Sequence, residues 1–332
     1  MTSAAFDIVA LGNAIVDIIH PAPEAFLAQH KIEKGAMTLI DDDRAGYLTG
    51  LFDKPLVAAG GSVANTATGV ASFGGRAAFL GVIADDELGA AFVREFRAVG
   101  ATFDASPRKA PPGTGRCLIV VTPDGQRSMS TYLGAAALLT PAHVDADKIR
   151  AAEILFLEGY LFDSDDAKAA FVKAAEIAQA AGRKVALTLS DVFCIERHRA
   201  AFRHLVANHV DILLCNEGEA LSLYQTKDFD DALNQARAEV QVVAATRSEK
   251  GSVIGYGPEI LHVPAAPVAR VLDTTGAGDQ YAAGFLFGYA QGRPLAECGA
   301  LGSLAAAEVI AHMGPRPETS LKALAAQQVL RL

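Results

Sequence analysis

Of 332 residues, 51% are hydrophobic and 20% charged, which is ample apolar material for a buried core and argues against extended disorder. The formal net charge is −9 and no run of Lys or Arg exceeds two residues, so the electrostatic footprint of a nucleic-acid or anionic-membrane binder is missing and a small-molecule ligand is expected instead. That length admits two average domains or one large α/β domain with an appendage.

No Lys or Arg precedes Lys31, and Asp7 and Asp17 interrupt the early apolar stretches, so no basic secretion leader is read. The longest apolar runs, such as 77–84, are far short of the ~20 residues a membrane helix needs. Cys117, Cys194, Cys215 and Cys298 lack any C-x-x-C spacing and are expected to be buried thiols of a cytoplasmic protein.

In chain order, 7–11 has the apolar character of a central strand and 33–40 that of an extended segment. A Gly60-Gly61 turn leads into a helix over 62–73, and a second helix is predicted over 87–99. The Pro- and Gly-rich stretch 106–115 suggests a hinge into strands at 115–121 and 128–133, joined by Thr122-Pro123-Asp124-Gly125-Gln126, whose Pro and Asp-Gly supply hairpin chemistry. These antiparallel strands within an α/β chain predict a small separate sheet, a lid. From about 150 onward, apolar runs at 153–158, 184–189, 211–215 and 241–246 alternate with helical stretches such as 165–181. That is the pattern of a parallel sheet covered by helices on both faces.

The chemistry concentrates in Val271-Leu-Asp-Thr-Thr-Gly-Ala-Gly-Asp-Gln-Tyr-Ala-Ala-Gly-Phe285. A Gly-rich turn opening an apolar helix points the N–H groups of Ala277, Gly278 and Asp279 at an anion, while Gly276 and Gly278 allow close approach. A carboxylate there repels phosphate, yet it suits a base that takes the proton of an acceptor hydroxyl during phosphoryl transfer. A helix cap with a glycine turn would use the same residues.

Asp273-Thr-Thr-Gly-Ala-Gly-Asp279 followed by a small-residue helix resembles the C-terminal signature of the ribokinase-like, or PfkB, carbohydrate and nucleoside kinases. Gly60-Gly61-Ser62-Val63-Ala64-Asn65 resembles that family's substrate-binding turn, Asn216-Glu217-Gly218-Glu219 its motif that holds waters around Mg²⁺, and Thr246-Arg-Ser-Glu-Lys-Gly251 its nucleotide loop. The resemblance spans nearly the whole chain. It implies a three-layer α/β/α sandwich with a mainly parallel central sheet, one unit over 1–332, with a small β-sheet lid inserted at about 14–40 and 104–134.

By the same resemblance ATP lies on Asn216, Thr246, Ser248, Lys250, Gly251, Gly276 and Gly278, with Mg²⁺ held through water by Asn216 and Glu219. Asp273 and Thr275 resemble positions that bind an activating potassium ion. Asp279 is the catalytic base, and Arg127 reaches the transferring phosphate. Within the family the nearest resemblance is to the adenosine kinases. Asn13 and Asp17, in Gly12-Asn-Ala-Ile-Val-Asp17, then grip ribose hydroxyls beside Gly60, Gly61, Ser62 and Asn65. Met37, Leu39, Met129 and Leu133 line a base pocket, and Tyr160 stacks on the base. Apolar and aromatic surface is what a flat purine needs, although such residues also build ordinary cores. Thr275 departs from the Asn of many eukaryotic adenosine kinases toward the sugar kinases.

The expected activity is therefore phosphorylation of a nucleoside 5′-hydroxyl, adenosine to AMP. The alternatives are a sugar kinase acting on ribose, fructose or 2-keto-3-deoxygluconate, and a non-catalytic nucleoside-binding protein, against which the retained Asp279 argues. No G-x-x-x-x-G-K-[ST] loop, G-x-G-x-x-G after a strand, protein-kinase signature or H-E-x-x-H occurs. Monomer and homodimer are equally open.

Overall fold

The computed structural model describes residues 4–329. In order, its strands are β1 (Phe6–Leu11), β2 (Ile15–Pro21), β3 (Met37–Leu39), β4 (Leu56–Gly60), β5 (Ala77–Leu80), β6 (Gly115–Val121), β7 (Arg127–Tyr132), β8 (Ala152–Glu158), β9 (Lys184–Thr188), β10 (Ile212–Asn216), β11 (Val242–Thr246), β12 (Ser252–Tyr256) and β13 (Glu259–Val263). Eight form the main sheet in the order β13-β12-β11-β10-β9-β8-β1-β5, and five form a smaller one in the order β3-β7-β6-β2-β4. The main sheet is parallel from β5 to β11 and antiparallel at β12 and β13.

The double-sided apolar runs of the sequence are explained by two separate cores. Successive residues of a strand point to opposite faces, so Val9, Leu155, Leu187, Leu213 and Val243 enter one core while Ile8, Ile154, Ala186, Ile212 and Val242 enter the other. Helices Asp165–Ala180 and Val192–His209 cover the first face; Ser62–Ser72 and Ala277–Ala290 cover the second. Each fully buried Leu, Ile or Phe contributes roughly 1.5–3 kcal/mol by leaving water. Under the smaller sheet, Phe79, Phe92, Phe96 and Phe103 form a fully buried aromatic cluster with centroids 5.5–6.1 Å apart.

Three expectations need correction. The segment 33–40 is extended only at Met37–Leu39, because Gly35 adopts φ 73° and the Ala36 N–H folds back to the Glu33 carbonyl at 3.4 Å. The lid sheet is not simply antiparallel: β2 pairs β6, and β3 pairs β7, in parallel. Those partners come from distant segments, so the intervening chain can cross over and a hairpin is not required. A further strand, β4, joins from outside the two segments assigned to the lid, pairing antiparallel with β2.

Candidate active site

Ligands of open α/β sheets sit beyond the carboxyl ends of the parallel strands, and a cavity of about 410 Å³ lies there. Its floor comes from Asn13, just after β1, and from the last residues of β8, β9, β10 and β11: Glu158, Thr188, Asn216 and Thr246. The small sheet forms the roof through Ile15, Asp17, Met37, Leu39, Ile119 and Met129. Leu133 and Tyr160 complete an apolar arm, and the Tyr160 hydroxyl donates to the Ser190 carbonyl at 3.1 Å. Ser190 has φ 71°, a left-handed backbone unusual for a serine, and its Oγ accepts the Gly159 N–H at 2.8 Å.

The catalytic end is assembled by two helix starts. Gly61 has φ 94°, and a Cβ there would meet the Asn13 carbonyl oxygen at 2.2 Å; on Gly60 it would meet the Asp17 carboxylate at 2.3 Å. Only glycines let the chain pass and turn into helix Ser62–Ser72. That helix supplies Ser62, whose hydroxyl donates to Asp279 Oδ1 at 2.7 Å, and Asn65, whose Nδ2 donates to Asp279 Oδ2 at 3.0 Å. The Asp279 carbonyl accepts from Thr66 Oγ1 at 2.9 Å. Asp279 stands in the first turn of Ala277–Ala290, opposite those donors.

Gly276 caps this helix with φ 76° and packs against Pro315, whose carbonyl a Cβ would meet at 2.5 Å. Among the described residues, the N–H groups of Gly276, Gly278 and Asp279 have no protein partner, and the helix dipole makes them an anion site. The Ala277 N–H does not join them, contrary to expectation: the left-handed bend at Gly276 returns it to the Thr274 carbonyl at 3.3 Å. At the rim, Arg127 at the start of β7 reaches down from the lid. It donates to Thr275 Oγ1 at 2.7 Å and Thr274 Oγ1 at 3.1 Å, and lies 3.3 Å from Asp273 Oδ1.

Asp273 and Thr275, the candidate potassium pair, are committed to one another. Asp273 Oδ1 accepts the Thr275 N–H and hydroxyl at 2.9 and 2.6 Å, and Oδ2 accepts the Gly314 N–H at 3.0 Å. With the Arg127 guanidinium matching the charge of Asp273, these side chains do not fit an ion, and no step is derived through one. Asp273 is buried behind the cavity wall, while Ser248 and Lys250 are exposed on the turn after β11 and, with Gly251, do not line the cavity.

Asn216 and Glu219 do line it, locked in a capping box: Glu219 takes the Asn216 N–H at 3.0 Å and its Nδ2 at 2.6 Å. No group of three or more His, Cys, Asp or Glu among the described residues is disposed around one metal ion. A carboxylate in the same cavity as an anion site nevertheless fits magnesium, which keeps most of its water and shares phosphate oxygens.

Glu158, the last residue of the run 153–158 and no part of the expected site, organises the floor. Fully buried, it accepts the Asn13 N–H and Nδ2 at 2.7 Å each and the Val63 N–H at 3.1 Å. Asn13 Oδ1 is thereby left as a buried acceptor without a protein partner, and Asn13 itself lines the cavity. A glutamate at the carboxyl end of the run 153–158, where such sheets place their ligands, was the available signal. Arg316, whose Nε donates to Asn65 Oδ1 at 3.3 Å, carried no signal in the sequence.

With this geometry in view, the pfkB family carbohydrate kinase model matches residues 34–321. The chain belongs to the PfkB family. This PfkB kinase is 27% identical over 331 residues to an adenosine kinase of Saccharomyces cerevisiae, covering 93% of the chain and 96% of that relative. Among solved structures, a probable sugar kinase from Rhizobium etli CFN 42 superposes with TM-score 0.95 at 48% identity, covering 98% of this chain and 99% of that one. An adenosine kinase from Sinorhizobium meliloti superposes with TM-score 0.94 at 49% identity, covering 98% and 100%. The fold is therefore ribokinase-like, and the family implies ATP and a divalent metal. No helix among the described residues is long and apolar enough to cross a membrane, and all four cysteines are free and buried.

The PfkB kinase pocket is crowded with acids. Burial pushes Asp17, Glu158 and Glu219 each up to about 7. It also raises Asp279, against the lowering effect of Asn65, Ser62 and Arg127. Each of the first three keeps its proton in the folded chain at pH values where the unfolded chain has lost it. Their contribution to stability is complete below the unfolded values and disappears as pH rises through about 7. The unliganded protein is expected to lose on the order of 5 °C in Tm between about pH 5 and pH 8, with a smaller loss in Glu158→Gln. Differential scanning fluorimetry reads this directly, and a Tm rising across the interval would contradict it.

Proposed function

We propose that this PfkB kinase transfers the γ-phosphoryl group of ATP to the 5′-hydroxyl of a nucleoside, adenosine foremost. The observation that carries the reading is the joining, in one cavity, of an apolar and aromatic arm to buried acceptors that lead to Asp279. Ile15, Met37, Leu39, Ile119, Met129 and Leu133 offer a flat base apolar contact, with Tyr160 as the stacking surface. Asn13 Oδ1 and the Asp17 carboxylate accept the two O–H bonds of a vicinal diol. The similarity to the adenosine kinase of Sinorhizobium meliloti supports the choice.

Asp279 accepts the proton as the substrate oxygen attacks phosphorus. Ser62 and Asn65 hold the two carboxylate oxygens in place, and burial makes the group more basic than an ordinary aspartate, which suits proton transfer near neutrality. The open N–H groups of Gly276, Gly278 and Asp279, with Arg127, stabilise charge on the transferring group. ATP runs past these toward Asn216 and Thr246. Asn216 and Glu219 would hold magnesium through water, and the metal would neutralise phosphate charge. The lid sheet excludes water that would otherwise accept the phosphoryl group.

The similarity to the Rhizobium etli probable sugar kinase keeps a second reading in view, a bare sugar as acceptor. Purified protein is assayed for ATP consumption with Mg²⁺ against adenosine, inosine, guanosine, ribose, fructose and 2-keto-3-deoxygluconate. Turnover with adenosine exceeding every sugar by more than about a hundredfold in kcat/KM is expected, the ~3 kcal/mol that burying a base in an apolar arm supplies. Preference for a sugar retains Asp279 as base and overturns the base pocket; silence across the panel points to the binding-protein alternative.

A further inference from the structure

Outside the groups used above, Arg316 is a half-buried charge with a contact in the site. Arg316 lies in the loop after helix Leu295–Val309, over the Phe96 ring at 5.9 Å. The same loop grips both sides of the anion site: the Gly314 N–H donates to Asp273, and the Pro315 carbonyl accepts Gln280 Nε2 at 3.0 Å, while Gln280 also reaches the Asn65 carbonyl at 3.1 Å.

We propose that Arg316 is a positioning residue of the acceptor site, orienting the Asn65 amide toward Asp279. It rests on the role proposed above for Asp279. An asparagine amide can sit either way round, and the reversed form would turn its oxygen on the Asp279 carboxylate. A guanidinium only donates, so Arg316 Nε at 3.3 Å from Asn65 Oδ1 admits only the orientation in which Nδ2 faces Asp279 at 3.0 Å.

Three preparations of the full chain test this, each assayed for kcat and KM with the acceptor that the wild type prefers. Arg316→Lys keeps a group that only donates, so kcat stays within about threefold of wild type. Arg316→Gln can present its own amide oxygen and readmits the reversed Asn65, so kcat falls about fivefold while the acceptor KM changes less than about threefold. The same glutamine change in an Asn65→Ala background costs less than about twofold, because no amide is left to orient.

Equal losses in the lysine and glutamine variants, no loss in Arg316→Gln, or an undiminished loss in the Asn65→Ala background overturns the proposal. Should the glutamine variant not fold, lysine alone decides, since a kcat reduced about fivefold or more sinks it. A wild type that phosphorylates no acceptor refutes instead the underlying assignment of the reaction.

Discussion

Asp279→Asn lowers kcat by about two to four orders of magnitude, the range for loss of a positioned general base, while KM for the acceptor changes less than about threefold. Asparagine fills the same volume, and in place of the carboxylate's bonds at 2.7 and 3.0 Å its carbonyl oxygen accepts from Asn65 Nδ2 while its NH2 donates to Ser62 Oγ, so the helix start survives. What disappears is proton affinity, which burial has raised above that of an exposed aspartate. Steady-state kinetics with a thermal melt on the same preparation check both halves. Turnover within about tenfold of wild type would transfer the base role elsewhere and reduce Asp279 to a cap.

Asp17→Asn acts on the opposite term. The acceptor KM is expected to rise about a hundredfold with kcat reduced less than tenfold, because two charge-assisted O–H bonds made equally in ground and transition states are weakened. The wild-type pH profile carries the same signature. Asp17 is pushed up to about 7 by burial, so its ionised, gripping form is lost as pH falls through that value. The acidic limb of kcat/KM should lie near 7 in the wild type and disappear in the variant. A limb that persists unchanged would assign it to another of the buried acids, Asp279, Glu158 or Glu219.

Legibility differed sharply between the two halves of the molecule. The main sheet was written locally: runs apolar on both faces, such as 153–158 and 241–246, have few ways to be buried other than between helices, and β8 and β11 lie there within one residue of those bounds. The lid was harder. β2 carries Asp17 at its centre, so the charge reads as an interruption although the residue is 6% exposed between β4 and β6. Nothing near it in the sequence announces the sheet that shields it.

The candidate site divides in the same way. Gly60, Gly61, Gly276 and Gly278 are legible because close approach and left-handed turns leave few other residues possible. Asp279 is legible because a carboxylate in the first turn of an anion-binding helix calls for a chemical reason. Those motifs determined the family, the fold and the end of the molecule where chemistry occurs. Only the tertiary structure brought Ser62 and Asn65 onto Asp279 across more than 200 residues, tied Asn13 to Glu158, and carried Arg316 to Asn65. It also withdrew Ala277 from the anion site and set Arg127 against Asp273. Local sequence fixes backbone conformation and which faces must be buried; the partners of a buried polar group depend on which distant segments meet there, and spacing along the chain holds no record of that.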